Sequence, residues 1–279
     1  TRQGSHFEIF NNTLWMEYRR MIVPFGPSVF DYSLLKQQAK ILLNNFPRAI
    51  GVRFTNNFSE EYNDGKYYVV LTKRPVDLDA LSSKKRHDFI SAKKNCSVVQ
   101  LDANYIAENG YLVYRNALKR YRYGHLYLTD NVFKKMVLSE IGYGDIVHYW
   151  GVFYANKLVG FAKNYCFGRE LKMSSLKFDP EYLKFDSSIA LIHGMTEYYL
   201  RNKNFLWMTA GFTSISHDSN FNSYLIDKFN FYKAKVRLEV FYKPIVGRFI
   251  SMTFKYRGFL KFISHDLGTL YKQEEMRGF

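Results

Sequence analysis

The sequence predicts an α/β (α+β) protein. It reads as a mixed sheet with flanking helices, laid out as a partial N-terminal lobe, a complete C-terminal lobe and a C-terminal amphipathic helix. Three observations carry this expectation. Strand-like runs alternate with runs of helical period through most of the chain. The second half reads β-β-β-α-β-α-β after two leading helices. Strand 19–25, helix 32–46, strand 49–54 and strand 67–72 echo strand 171–178, helix 187–201, strand 205–210 and strand 233–242. The first copy lacks a helix between its last two strands, hence the partial lobe.

Each element has a local cause. Gly26-Pro27 ends strand 19–25, and Asp31 is placed to cap helix 32–46, which Pro47 stops. Asn63-Asp64-Gly65 is the turn before strand 67–72. Ser82 opens a basic helix that runs to about Lys94, followed by strand 97–101 and helices 103–121 and 129–140. Strands 146–154 and 157–167 form a hairpin through Ala155-Asn156, and strand 171–178 follows. After a loop over 179–186, helix 187–201 sets Ile189, Leu191, Ile192, Met195, Tyr198 and Tyr199 as its apolar positions. Strand 205–210, a polar loop, helix 219–228 and strand 233–242 complete the lobe, and Pro244 ends the globular part. The expected divisions are 7–80, 81–243 and 244–279.

Composition excludes several classes. With 25 Phe, 23 Tyr and 3 Trp, aromatics reach 18%, which rules out a disordered chain. Cys96 and Cys166 stand far apart without a CxxC, so no disulfide framework is expected and a reducing, cytoplasmic setting fits. No apolar run has the length of a membrane span. No metal is expected: His193 and Glu197 share a helix face without a third ligand nearby. Gly142-Tyr143-Gly144 is not a dinucleotide fingerprint. The formal charge of +15 favours polyanions, whether nucleic acid, anionic lipid headgroups or phosphorylated substrates, without choosing among them.

Three stretches resemble a known family. They are Ser83-Lys84-Lys85-Arg86 at the start of a helix, His148-Tyr149-Trp150-Gly151-Val152-Phe153 with Leu158-Val159-Gly160, and Tyr224-Leu225-Ile226-Asp227-Lys228-Phe229-Asn230-Phe231 before a last strand. Together they resemble the FemAB-type (peptidyltransferase-like) branch of the GNAT acyltransferase superfamily, well over 82–243 and loosely over 15–75. The resemblance implies GNAT-like lobes and transfer of an acyl or aminoacyl group to an amine of a cell-wall or surface-glycan precursor. It implies no bound cofactor, the donor being a substrate, acyl-CoA or aminoacyl-tRNA. Two other readings stay open: an acyl-CoA-dependent N-acyltransferase acting on an amino sugar, and a non-catalytic GNAT-like module that binds RNA or anionic membrane.

The residues nominate a site. A helix beginning at Ser187-Ser188 offers free N–H groups to donor phosphate, although the Arg/Gln-x-x-Gly-x-Gly/Ala loop of acetyl-CoA enzymes is absent; Ser187 also reads as a plain cap. The resemblance implies that Lys228 stabilises an oxyanion; alone, it reads as a solvated lysine at a helix end. His217 can take the amine proton with Asp218 orienting it, or the loop simply caps the next helix. Asn220 is grouped with Asp218 as donor-binding, and Tyr224, one turn before Lys228, faces the same side. Lys84, Lys85 and Arg86 are the candidate phosphate contacts, for tRNA among others, or else a solvated face. Over 243–263, Ile245, Phe249, Met252, Tyr256, Phe259 and Ile263 recur at spacings of 4, 3, 4, 3 and 4 amid five cations and no acid. That stripe reads as a membrane-surface helix at the inner face or as a helix packed on the protein.

Overall fold

A computed structural model describes residues 6–59, 65–119, 128–215, 220–262 and 264–278. In chain order it holds β1 (Phe7–Phe10), β2 (Thr13–Tyr18), β3 (Met21–Pro24), α1 (Lys36–Asn45), β4 (Gly51–Asn56), β5 (Tyr68–Thr72), α2 (Ser83–Asn95) and β6 (Cys96–Leu101). There follow α3 (Ala103–Leu118), α4 (Asp130–Leu138), β7 (Val147–Tyr154), β8 (Lys157–Phe167), β9 (Glu170–Phe178), α5 (Ser187–Thr196) and β10 (Trp207–Phe212). The last are α6 (Phe221–Phe229), β11 (Tyr232–Lys235), β12 (Arg237–Tyr242), α7 (Pro244–Thr253), α8 (Arg257–Leu260) and α9 (His265–Arg277).

The chain divides into two compact units. One takes Thr1–Val70, Phe212–Asn222 and Lys233–Phe279; the other takes Leu71–Gly211 and Ser223–Tyr232. The C-terminal segment therefore groups with the N-terminal strands, whereas the sequence set 244–279 apart.

In the first unit the sheet order is β1-β2-β3-β4-β12. Two-residue turns link its first strands: Asn11-Asn12 at φ 49° and 56°, and Arg19-Arg20 at φ 51° and 63°. Both central residues are left-handed, as a twisted hairpin requires. The strand expected over 19–25 thus begins only at Met21, because Arg19 and Arg20 form a turn. Helix α1 covers the sheet with Ala39, Leu42 and Leu43, against Trp15, Ile22, Val52 and Phe54. It starts later than expected. Asp31 is not its cap, since Asp31 Oδ1 accepts the Phe58 N–H at 2.7 Å. The Leu35 N–H donates instead to Gln38 Oε1 at 2.9 Å.

Pro244 does not end the globular part; it opens α7, where a proline is tolerated because first-turn N–H groups have no helical partner. The stripe over 243–263 is not one helix either, for a 3₁₀ turn at Phe254–Tyr256 separates α7 from α8, and Ile263 lies outside the described residues. The inward side is well anchored. Ile250 and Tyr271 are buried, Tyr242 Oη donates to Glu274 Oε1 at 2.7 Å, and Arg53 donates to Gln273 Oε1 at 2.9 Å.

In the second unit the strands run in the order β10-β9-β8-β7-β6. Strands β6 to β9 are antiparallel, and Ala155-Asn156 makes the expected hairpin turn, at φ 46° and 62°. One face receives α3 and α4 through Ile106, Val113, Phe133 and Val137, packed with Tyr149 and Phe161. The other receives α5, and Gly194 allows it close to β6: a Cβ there would meet Val98 Cγ1 at 2.9 Å. The expected helix 187–201 is α only to Thr196 and continues as a π turn over Glu197–Asn202. The run expected as one strand over 233–242 is divided between two sheets, β11 beside β5 and β12 beside β4. Among the described residues no helix is long and apolar enough to cross a membrane.

Candidate active site

In the second unit β9 and β10 part early. Their parallel pairing covers only Glu170↔Trp207, Leu171↔Met208 and Lys172↔Thr209, although β9 continues to Phe178. Strand β9 also carries one extra residue, Ser174, opposite β8, since Asn164 pairs with Met173 and Lys163 with Ser175. A bulge of this kind bends a strand and re-aims its side chains. Backbone N–H and C=O groups past Lys172 are thereby released from one neighbour.

After β9 the chain makes a 3₁₀ turn over Pro180–Phe185 and enters α5 from Asp186, which stands left-handed at φ 61°. Ser187 follows at 0% exposure, and its hydroxyl has no hydrogen-bond partner among the described residues. A buried hydroxyl without a partner costs free energy. Ser188 Oγ and Tyr224 Oη lie 2.9 Å apart. Burial holds the Tyr224 phenol above its usual range; Ser188 opposes this and the charges of Asp186 and Asp88 add to it. Tyr224 therefore stays protonated and acts as hydrogen-bond donor or acceptor, not as a base.

Helices α2 and α6 supply the charges. Lys228 forms an ion pair with Asp88, and Lys85 Nζ donates to the Asp227 carbonyl at 2.9 Å. Phe89 packs edge-on against Phe229 at 5.6 Å, giving that contact an apolar base. The structure thus brings together Ser187, Ser188, Tyr224, Lys228 and Lys85 from distant parts of the sequence. It does not bring Arg86 with them as a free cation. Its guanidinium donates to the carbonyls of Leu78 (2.9 Å) and Asp79 (2.8 Å) and holds the loop before α2. Lys84 is exposed, Asn220 is exposed within the first unit, and His217 and Asp218 lie outside the described residues.

Sequence reasoning missed two lysines on β9. Burial holds the ammonium of Lys172 below its usual range, with Glu170 opposing, and holds Lys177 down as well. Lys177 has no ion-pair or hydrogen-bond partner among the described residues, and it lies on the part of β9 beyond the β10 pairing. Its signal in the sequence was a lysine inside a strand otherwise half-buried. Neighbouring Lys163 and Tyr149 both donate to Glu140.

A second polar cluster is closed. His148 Nδ1 lies 2.6 Å from Tyr199 Oη and 3.2 Å from Cys166 Sγ, and Trp150 Nε1 donates to the same Tyr199 oxygen at 2.9 Å. Burial pushes the Cys166 thiol up to about 12, so it is not a nucleophile. His193 and Glu197, on one helix face by sequence, form no ion pair with each other among the described residues. Glu197 pairs with Arg201 at 2.8 Å, while His193 packs edge-on against Phe89 at 5.1 Å. Among the described residues no three His, Cys, Asp or Glu side chains gather as metal ligands.

No protein-family model and no curated protein sequence matches the chain. Solved structures do. The C-terminal DUF2156 domain of a putative lysylphosphatidylglycerol synthetase from Agrobacterium fabrum aligns over 89% of this chain and 86% of its own, at 12% identity and a TM-score of 0.55. FemX aligns over 83% and 86%, at 10% identity and a TM-score of 0.50. The PaiA N-acetyltransferase of Thermoplasma acidophilum aligns over 39% of this chain and 74% of its own, at 19% identity and a TM-score of 0.32. The architecture of this chain is a mixed α/β fold, similar over most of its length to those of the DUF2156 domain and FemX.

Proposed function

We propose that the protein is an acyltransferase that passes an acyl or aminoacyl group to an amine, with the donor held at the start of α5. The observation that carries this reading is the buried, unpartnered Ser187 hydroxyl beside the Ser188–Tyr224 pair. Free N–H groups at the same helix start can bind a carbonyl oxygen. The parting of β9 from β10 leaves unpaired strand edge where a donor chain can lie.

Between the donors, aminoacyl-tRNA is favoured over acyl-CoA. The Asp186 carboxylate occupies the turn entering α5, and a second full anion such as a diphosphate is repelled there. An amine on a cell-envelope precursor is the acceptor class. Lys228, freed from Asp88 or sharing it, would face the developing oxyanion.

The test is thermal stabilisation by aminoacyl-tRNA, deacylated tRNA and acyl-CoA, measured separately at low and moderate salt. A ligand that binds only the folded state raises the apparent melting temperature by mass action. A shift with aminoacyl-tRNA, lost in Ser187→Val, supports the reading. A salt-tolerant shift with acyl-CoA alone replaces the donor. No shift with either sinks the proposal and leaves a binding module.

A further inference from the structure

Helices α7 and α8 bury one side and leave the other in solvent. Ile250 is 4% exposed, whereas Ile245 is 83%, Met252 74%, Phe259 72% and Phe262 81% exposed. Phe249 and Tyr256 are exposed as well. Within α7, Ile245, Phe249 and Met252 recur at the four- and three-residue spacing that keeps them on one face. Bonds on the inward side fix this presentation. Tyr271 Oη donates to Thr253 Oγ1 at 2.8 Å, and Arg257 pairs with Glu275 at 2.7 Å. A cluster of large exposed apolar side chains this close in sequence is the kind of surface that marks an interaction site.

Its charge selects the partner. From Lys243 to Phe262 there are five cations and no acid. Arg248, Lys255 and Lys261 are exposed, and two of them lie along aromatic rings, Lys255 over Tyr256 at 4.8 Å and Lys261 over Phe262 at 5.2 Å. Cations beside exposed aromatics place apolar stems and rings in a hydrocarbon boundary while their heads stay at the polar surface. A second copy of the same face would bring Arg248 and Lys255 against their own equivalents, which is repulsive. We propose that this face docks on an anionic lipid bilayer, with Ile245, Phe249, Met252, Tyr256 and Phe259 at the headgroup–acyl boundary and Arg248, Lys255 and Lys261 on lipid phosphates. This docking does not depend on the identity of the donor.

The test is co-sedimentation of the full chain with phosphatidylcholine vesicles, with and without phosphatidylglycerol. The parent protein binds the anionic vesicles and not the neutral ones. Met252→Glu/Phe259→Glu, which changes only exposed side chains and leaves the melting temperature in place, lowers partitioning about tenfold or more. Arg248→Gln/Lys255→Gln keeps the apolar face and lowers binding to the anionic vesicles only. The proposal is overturned if the parent binds neither vesicle. It is equally overturned if the acidic double variant binds as the parent does, because the general +15 charge then suffices. A parent dimer that this variant converts to monomer, with no vesicle binding, assigns the face to self-association instead.

Discussion

Lys228 is ion-paired with Asp88, so the ammonium presented by α6 is held by a carboxylate of α2. Both side chains are about three-quarters buried, at 26% and 28% exposure, and removing one leaves the other without its partner. Asp88→Asn should therefore lower unfolding free energy by about 1–2 kcal/mol. Lys228→Met paired with Asp88→Asn should recover part of that loss. If Lys228 stabilises the oxyanion, Lys228→Met also lowers single-turnover transfer by about 100-fold or more, whereas Asp88→Asn does not. Equal loss of transfer in both variants would show the pair to be a structural tie only. Denaturant midpoints and single-turnover rates separate the cases.

Ser187 and Tyr224 should behave oppositely. Ser187→Ala removes an unsatisfied buried hydroxyl, so it should leave stability unchanged or raise it by about 0.5–1 kcal/mol. It should also weaken donor binding. Tyr224→Phe breaks the bond to Ser188 and should cost about 1 kcal/mol without any gain. Thermal melts with and without donor measure both effects.

Lys177 makes a prediction about pH. Burial depresses its ammonium pKa in the folded state, so folded protein releases that proton before unfolded protein does. The destabilisation is present in full below the folded pKa and is lifted as pH rises from there to the unfolded value. Lys177→Met should thus be more stable than the parent at pH 7, and the gap should narrow by pH 10. Melting temperatures across that range check it. A gap independent of pH would mean that packing, not charge, sets the difference.

Two histidines act in the acid range. Burial lowers the pKa of His148, opposed by the Gly144 carbonyl and the Asp145 charge. Burial lowers His193 too, assisted by Arg201 and Lys93. A group whose folded pKa is depressed favours the unfolded state once its unfolded form takes up a proton. Stability should therefore fall as pH drops from about 7 towards 5. His193→Phe should flatten that decline in pH-dependent denaturant titrations, because His193 Nδ1 is buried without a partner among the described residues.

Much of the second unit was legible because its signals are local. Ala155-Asn156 sits between two alternating runs, and Ser82 opens a helix whose bounds the structure keeps within a residue or two. Long-range choices were not legible. Tyr232–Tyr242 has one pattern of strand residues, yet pairing divides it at Val236, and periodicity says nothing about which strand lies alongside. Arg19-Arg20 carries no turn residue, so nothing local announces a left-handed pair there, whereas Asn11-Asn12 has the residue type such a turn favours. At the site, residue types nominated Ser187, Ser188, Tyr224 and Lys228. Sequence could not show that Arg86 is taken up by carbonyls, that Asp88 holds Lys228, or that Lys177 is half-buried without a partner among the described residues.

The division of the chain sets a schedule for its own synthesis. Residues Leu71–Gly211 form most of one unit without interruption. The other unit must wait, because β4 meets β12 through pairs such as Phe54↔Glu239 and Val52↔Phe241. Until β12 leaves the ribosome, β4 presents an open edge to whatever else is in solution, and such edges invite mispairing. A ribosome that pauses before Arg237 would therefore hold a nascent protein whose later-encoded strands β6 to β9 can settle first, while its earliest strands remain unfinished.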